Sequence, residues 1–541
     1  MLPPISATGS FASLSAKGKI IYDKAIFIWI LALLTTAVLY FLTIDVAPNL
    51  DGDEFTLLDL GRVILYPHTN WSIVWMTNKN EPIFLLSYAG PVLQEIIYEW
   101  FGEYGPRVSS VIGAIAATMV MYRWLCSRGT SSNAALTLSL IFFLDPLFVQ
   151  SYTLGRVDGW TMFLCISSCW VLRSASNNLE YNLFSKSFKW HLFFGGSLLI
   201  AAFFVWPSAI FLFPLTFLEL FYFNKKYQSA LNKSVERYQP FVLFLSGAIA
   251  SFILFISPVL PQMIFRFSDV VETFKANSQS RPWWGSQGSI GMGSFVALLK
   301  VLKFTPLLFI FSIAAIIIEK QWKLIFALFP VVLLMLATVV YVHRVQYLLP
   351  YFIVAITAIF SNKFSVLKYN TIIRKSLLII LLIWCVSLSI IARTILAFDH
   401  EEEKNRNLIS NAASNTIGKG NYGVLLFFPY ELYFSGRSLG WQMYAPYIES
   451  SDRPYEQILH QVLQHVQYAI IPEDKLTNEL TKQLNKEGMS IVSTYNNYRF
   501  KIDQPYLTDY SKTTNMDRLR ILFRISRQPY GPYKIFRKQT N

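Results

Sequence analysis

The sequence is short of charge, short of histidine and nearly free of cysteine. Of 541 residues only 15% are Asp, Glu, Lys or Arg, against about 25% in ordinary soluble domains. The shortage falls on the acids, since 33 Asp and Glu face 47 Lys and Arg, a net charge of +14. Four cysteines cannot staple a chain of this length into a disulfide scaffold. Cys126, Cys165, Cys169 and Cys385 lie in or beside apolar runs, as small buried hydrophobes do. Cys165 and Cys169 stand one helical turn apart, but no histidine or further cysteine joins them as a metal set would need. No internal repeat and no low-complexity tract is present, and the composition excludes disordered, collagen-like and coiled-coil classes.

What is abundant is apolar. Hydrophobic residues make up 53% and aromatics 16%, with a mean hydropathy of +0.39. Soluble cores cannot bury so much apolar surface, whereas lipid-facing and interfacial positions accommodate it. The sequence therefore describes a polytopic α-helical membrane protein. Runs of about 20 residues, enough to cross roughly 30 Å of hydrocarbon, lie near 24–44, 106–124, 133–152, 156–175, 190–206, 207–223, 238–260, 295–318, 323–341, 345–361 and 376–397. That predicts about eleven spans. Residues 82–100 are apolar too, but Pro91, Glu95 and Glu99 interrupt them. They read as an amphipathic helix at the interface.

With that segment on the surface, the cations sort to one side. Lys17, Lys19 and Lys24, Arg123 and Arg128, Arg173, Lys186 and Lys189, Lys225, Lys226, Lys233 and Arg237, Lys320 and Lys323, and Lys363 to Lys375 fall in the N-terminal segment and short loops on one face. The rule that such loops are cytoplasmic sets the N-terminus inside a cell membrane. The +14 charge is then a topology record, not a nucleic-acid signature. Segments 45–105 and 261–295 and everything after 397 fall outside. Residues 1–397 form the membrane domain. Residues 398–541, where strand-like stretches (422–428, 468–471, 489–495, 498–502) alternate with helical ones (455–466, 476–487), form a small extracytoplasmic α/β domain. The basic, aromatic stretch from Arg518 to Lys538 reads as a domain edge or tail, with contact to anionic headgroups as its functional option.

The polar residues suited to chemistry gather outside. Asp51, Asp53 and Glu54 put three acids into four residues just beyond a span. The plain reading is a solvated turn capping a helix. The chemical reading is a carboxylate general base at the membrane surface. Arg281, Trp283 and Trp284, followed by several glycines, read as an interfacial anchor or a lid.

The order of motifs carries a resemblance. An outside Asp53-Glu54 follows the first span, then Lys79-Asn80-Glu81-Pro82-Ile83, then Phe101-Gly102 with Arg107, then Ser151 with Gly155-Arg156-Val157-Asp158, and late in the chain His343-Arg344-Val345-Gln346-Tyr347-Leu348-Leu349-Pro350. This series resembles the GT-C glycosyltransferases that use polyprenyl-phosphate sugars, among them protein O-mannosyltransferases and lipid A aminoarabinose transferases. It departs from them at Glu81-Pro82-Ile83, where Pro-Pro-Leu is common, and at Arg344-Val345-Gln346-Tyr347, where Arg and Tyr adjoin.

The resemblance implies a GT-C-like membrane domain and an inverting sugar transfer from a polyprenyl-phosphate sugar. The acceptor would be a lipid, glycan or protein at the extracytoplasmic face. Asp53 would be the catalytic base, supported by Glu54, with Asp51 as a second choice. Lys79, Arg156, Asp158, His343 and Arg344 would bind the donor phosphate and substrate. Membrane lipids are the expected surroundings, nucleic acid is not a partner, and the residues do not indicate a divalent metal. A secondary transporter or lipid flippase is the alternative. It calls for inverted repeats and midplane charges, which the sequence does not display.

Overall fold

The computed structural model describes residues 16–44, 52–66, 73–75, 87–179, 187–231, 238–265, 304–337, 342–360, 371–398, 406–427, 432–445, 455–495 and 532–539. Each of the eleven apolar runs carries helix. In chain order these are α1 (Ala16–Leu42), α4 (Gly105–Ser127), α5 (Ser132–Leu144) with α6 (Pro146–Tyr152), α7 (Asp158–Asn178), α8 (Ser187–Val205) and α9 (Phe213–Leu231). There follow α10 (Gln239–Ile256) with the short α11 (Leu260–Phe265), α12 (Pro306–Ile318), α13 (Trp322–Ala337), α14 (Leu349–Phe360) and α15 (Thr371–Val386). The last runs on through a π-helical turn to Phe398. Six helices among the described residues are long and apolar enough to cross a membrane, or seven if α5 and α6 form one bent span.

The bend between α5 and α6 is 58°, and its cause is local. Pro146 has no N–H and pushes the residue before it out of the helical region. Asp145 accordingly sits at φ −61°, ψ 130° and caps α6 by accepting a 2.9 Å bond from the Leu147 N–H. Helices α4 and α7 pack at the centre of the bundle. A Cβ on Gly159 would come within 2.7 Å of the Ala114 nitrogen, so only glycine permits this approach, as small residues do between membrane helices.

Two further helices lie in the first long connection, α2 (Gly52–Leu65) and α3 (Ala89–Phe101). Thirteen residues of α3 extend about 20 Å, short of the roughly 30 Å needed to span. Helix α3 packs against α2 and leads through a short 3-10 turn into α4; of the 82–100 segment, residues 82–86 lie outside the described set.

The C-terminal region forms a six-stranded sheet in the order β1-β3-β2-β4-β6-β5. The strands are β1 (Ile73–Trp75), β2 (Gly423–Leu426), β3 (Gln442–Ala445), β4 (Tyr468–Pro472), β5 (Met489–Tyr495) and β6 (Tyr533–Lys538). The first four neighbours pair in parallel and β4-β6-β5 antiparallel. Around them lie α16 (Arg406–Ile417), α17 (Tyr433–Leu439), α18 (Tyr455–His465) and α19 (Asn478–Lys486). Alternate residues of β2 point to opposite faces. Leu425 joins Leu459, Val462 and Leu484 of α18 and α19 on one side. Val424 and Leu426 join α16 and α17 on the other, together with Phe55 and Leu58 of α2.

The expected strands at 422–428, 468–471 and 489–495 are β2, β4 and β5, and the expected helices at 455–466 and 476–487 are α18 and α19. The stretch 498–502 lies outside the described residues. Two features differ from expectation. Strand β1 comes from the first outside connection, so the sheet is not built from 398–541 alone. Strand β6, at the end of the basic stretch, is interior: it pairs with β4 and β5 on either side, with Tyr533 and Ile535 buried in the core on one face and Phe536 in that on the other.

Candidate active site

The Asp-Glu pair opens α2, with Asp53 second and Glu54 third in the helix. Acidic residues suit that first turn, where unpaired N–H groups leave a partial positive charge. Glu54 is only 3% exposed, so its charge requires a partner. Arg107, on the first turn of α4, provides it: Nε donates to Glu54 Oε2 and Nη2 to Oε1, both at 2.8 Å. This two-pronged contact is the strong form of the carboxylate–guanidinium pair. The third nitrogen, Nη1, donates to the Ile44 carbonyl at the end of α1 at 2.6 Å. Gly155 lies against the same carboxylate, with an ideal Cβ position 3.3 Å from Glu54 Oε2. Three of the sequence motifs, Asp53-Glu54, Phe101-Gly102 with Arg107, and Gly155-Arg156-Val157-Asp158, thus meet at one point. A water-sized cavity of about 10 Å³ lies beside them, lined by Tyr40, Ile44, Arg107 and Thr153.

One step along the chain, Arg156 and Asp158 form a buried pair, with Arg156 Nε 2.7 Å from Asp158 Oδ2. Ser151 also donates to Oδ2, at 3.0 Å, and the Tyr347 hydroxyl donates to Oδ1 at 2.7 Å. Gln346 donates to Ser151 at 2.9 Å. The late His343–Pro350 segment is therefore joined to the Gly155–Asp158 turn through Gln346 and Tyr347. The Arg156 guanidinium lies 5.8 Å from the Trp206 ring centre. Gln94 of α3 donates to the Gly155 carbonyl at 3.0 Å and to Ser110 at 3.2 Å, and Ser110 donates to the Arg156 carbonyl. The turn is held from both ends.

A third cluster joins α2 and α3 to the C-terminal sheet domain. Arg437 of α17 pairs with Glu95 of α3 through both its terminal nitrogens and lies 4.0 Å over the Tyr98 ring. The Tyr433 hydroxyl, on the same helix, donates to Asp59 Oδ1 of α2 at 2.9 Å. Asp59 is 2% exposed, and burial pushes its carboxyl up to about 7 against the opposing pull of the Tyr433 hydrogen bond and of Arg437 and Arg62. Burial also raises the Tyr433 phenol. Gly61 lets the two helices close: a Cβ there would strike the Pro91 backbone and come 2.8 Å from Glu95 Cβ.

Of the residues picked out by sequence, Glu54, Arg156 and Asp158 fall in this assembly. Arg344 is half-buried at the end of the short helix Val342–Val345. Asp51 and Lys79 lie outside the described residues, as do the side chains of Asp53 and His343. Most of the 261–295 segment, with its Arg-Pro-Trp-Trp stretch, lies outside them as well. Sequence reading had no signal for Gln94, Tyr433 or Arg437, whose partners are far away in the chain. Among the described residues no three His, Cys, Asp or Glu side chains converge as metal ligands.

No protein-family model and no curated protein matches this chain. Solved structures do. ArnT from Cupriavidus metallidurans bound to undecaprenyl phosphate superposes with a TM-score of 0.58 at 10% identity, covering 88% of this chain and 97% of that one. The same protein in its apo state gives 0.55 at 11% identity over 87% and 96%. The apo oligosaccharyltransferase of Archaeoglobus fulgidus gives 0.50 at 12% identity over 95% and 88%. Across nearly its whole length, the chain has the GT-C glycosyltransferase fold that its motif order resembles.

Proposed function

We propose that this protein is an integral-membrane glycosyltransferase that moves a sugar from a polyprenyl-phosphate donor to an acceptor hydroxyl. The acceptor would be a lipid, glycan or protein. Transfer would take place at the membrane face that carries the C-terminal domain, which we assign as extracytoplasmic. The observation that carries this reading is the meeting of α2, the start of α4 and the Gly155–Asp158 turn around the Glu54–Arg107 pair, within a GT-C fold.

In the proposed reaction the acceptor oxygen attacks the anomeric carbon as the bond from that carbon to the phosphate oxygen breaks. A single displacement of this kind inverts the sugar. Asp53 takes the hydroxyl proton, and the phosphate leaves with the electron pair of the broken bond. Glu54 acts through Arg107, fixing the first turn of α2 and with it the backbone that bears Asp53. Asp51 is the second choice for the base. The departing phosphate gains charge, and fixed cations stabilise such charge best when they need not reorganise. Lys79, Arg156, His343 and Arg344 are assigned that work. Asp158, bonded to Arg156, Ser151 and Tyr347, holds Arg156 in place. A lipid tail threaded between the spans would bring the phosphate to this surface, and much of the catalysis would come from that proximity.

The test is sugar transfer by the purified protein in vesicles, using a panel of polyprenyl-phosphate sugars. Asp53→Asn should lower turnover by roughly 10²–10⁴, the usual contribution of a general base, with the folded yield unchanged. Full activity in that variant removes Asp53 from the mechanism. Solute exchange across the vesicle with no sugar transfer from any donor would mark a transporter instead.

A further inference from the structure

At the far end of the bundle, three charged side chains meet that the proposed reaction does not use. Helix α4 starts at the Glu54–Arg107 pair and ends at Ser127, a rise of roughly 30 Å. Its C-terminal end therefore lies at the opposite headgroup level. Arg128 follows α4 there. It donates from Nη1 to Glu219 of α9. Arg173 of α7 approaches the same carboxylate, with Nε 2.6 Å from Oε2. Trp124 donates its indole N–H to Glu219 Oε1 at 3.2 Å. Glu219 is fully buried, while the side chains of Arg128 and Arg173 are 19% and 9% exposed.

Two guanidinium groups share one carboxylate, so this cluster holds an excess positive charge where water is scarce. Both cations are walled by aromatic rings. Arg128 lies 5.5 Å from the Trp124 ring centre and Arg173 only 3.7 Å from that of Tyr222. Lys226 sits 5.3 Å from the same Tyr222 ring. The outer N–H groups of Arg128 meet no acceptor among the described residues, and none of them is sealed from the surface. A planar fork of spare donors, anchored from behind by a carboxylate, matches the oxygens of a phosphate. Basic pockets between helices at this level bind lipid headgroups.

We propose that Arg128 and Arg173, held by Glu219, bind the phosphate of an anionic phospholipid in the leaflet away from the C-terminal domain. The site is separate from the sugar-transfer site, and the proposal stands or falls without it. Glu219 is a positioning residue that fixes the two forks. The phosphate supplies the charge that the cluster lacks.

The test is native mass spectrometry of the intact protein released from mixed vesicles of phosphatidylglycerol and phosphatidylcholine. Wild type should retain phosphatidylglycerol preferentially. Arg128→Gln should lower that preference about tenfold, the loss of one charge-assisted hydrogen bond. Arg173→Gln keeps Glu219 and Arg128 and removes the other fork, so it should lower the preference by a similar factor, and it decides the matter if Arg128→Gln does not fold. Equal retention of the two lipids by wild type overturns the proposal, as does unchanged retention in either folded variant. Inorganic phosphate that displaces the retained lipid at millimolar concentration would make the ligand free phosphate and overturn the lipid assignment.

Discussion

At Asp59, burial and hydrogen bonding pull in opposite directions, and burial wins. Its carboxyl is held at about 7 in the folded protein, against about 4 in an unfolded chain. Between those values the folded state keeps a proton that the unfolded state has lost. Stability should therefore fall as pH rises from about 4 to about 7 and level off above. Asp59→Asn keeps an oxygen for the Tyr433 hydroxyl and abolishes the titration. Thermal unfolding should show the variant more stable than wild type at pH 8, by on the order of 1–3 kcal/mol, and nearly equal at pH 4. A wild-type melting temperature that rises between pH 5 and pH 8 would refute the assignment to Asp59. At this scale the sequence was legible in types and silent on pairs. Glu54 and Arg107 both stood out in motifs, but nothing local says that one closes on the other across two helices. Arg156 and Asp158 could be paired from sequence because they are two residues apart at a span end. Their further partner Tyr347 could not.

Among the elements, α2 bears the Asp-Glu pair at its start and is gripped on two sides. Arg107 holds its first turn to the membrane domain. Phe55 and Leu58 are buried in the core of the sheet domain, and Tyr433 packs its ring 5.4 Å from that of Phe55. Leu58→Ala should cost about 2–5 kcal/mol. It should also loosen the joint, read as faster hydrogen exchange in α2, α16 and β3 together; faster exchange confined to α2 would show that the helix is not part of that core. The spans were legible because twenty apolar residues in a row leave few alternatives. Helices α18 and α19 and strands β2, β4 and β5 were legible from periodicity and length. Strand β1 was not. Three residues, Ile73–Trp75, have no readable period, and their register against Met443 to Ala445 is set by a partner remote in the sequence. Strand β6 was hidden by its basic residues Lys534, Arg537 and Lys538, which break up the buried Tyr533, Ile535 and Phe536.

For the molecule as a whole, the two domains assigned from sequence share material. Residues 398–541 expressed alone would lack edge strand β1 and the α2 side chains that fill one of the two cores. We expect that fragment to melt without a cooperative transition and to bind a dye for exposed apolar surface. A sharp transition matching that of the full-length protein would show that α2 and β1 are dispensable to the domain. Charge sorting predicts a layout from sequence, with cations in the short loops of one face and the acids considered for chemistry in the connections of the other. How the face with the acids is tied together had to come from three-dimensional contacts.

The sheet also sets a schedule for biosynthesis. Ile73 emerges from the ribosome long before its register partner Met443, by an interval on the order of half a minute. Until then α2 and β1 wait at the membrane surface with Phe55 and Leu58 uncovered. Strand β6, which fills the gap between β4 and β5, arrives later still. The helix that bears the Asp-Glu pair is therefore seated only when nearly the whole chain has been made and inserted. An unfinished chain would carry every proposed active-site residue and still lack the seat that aligns them.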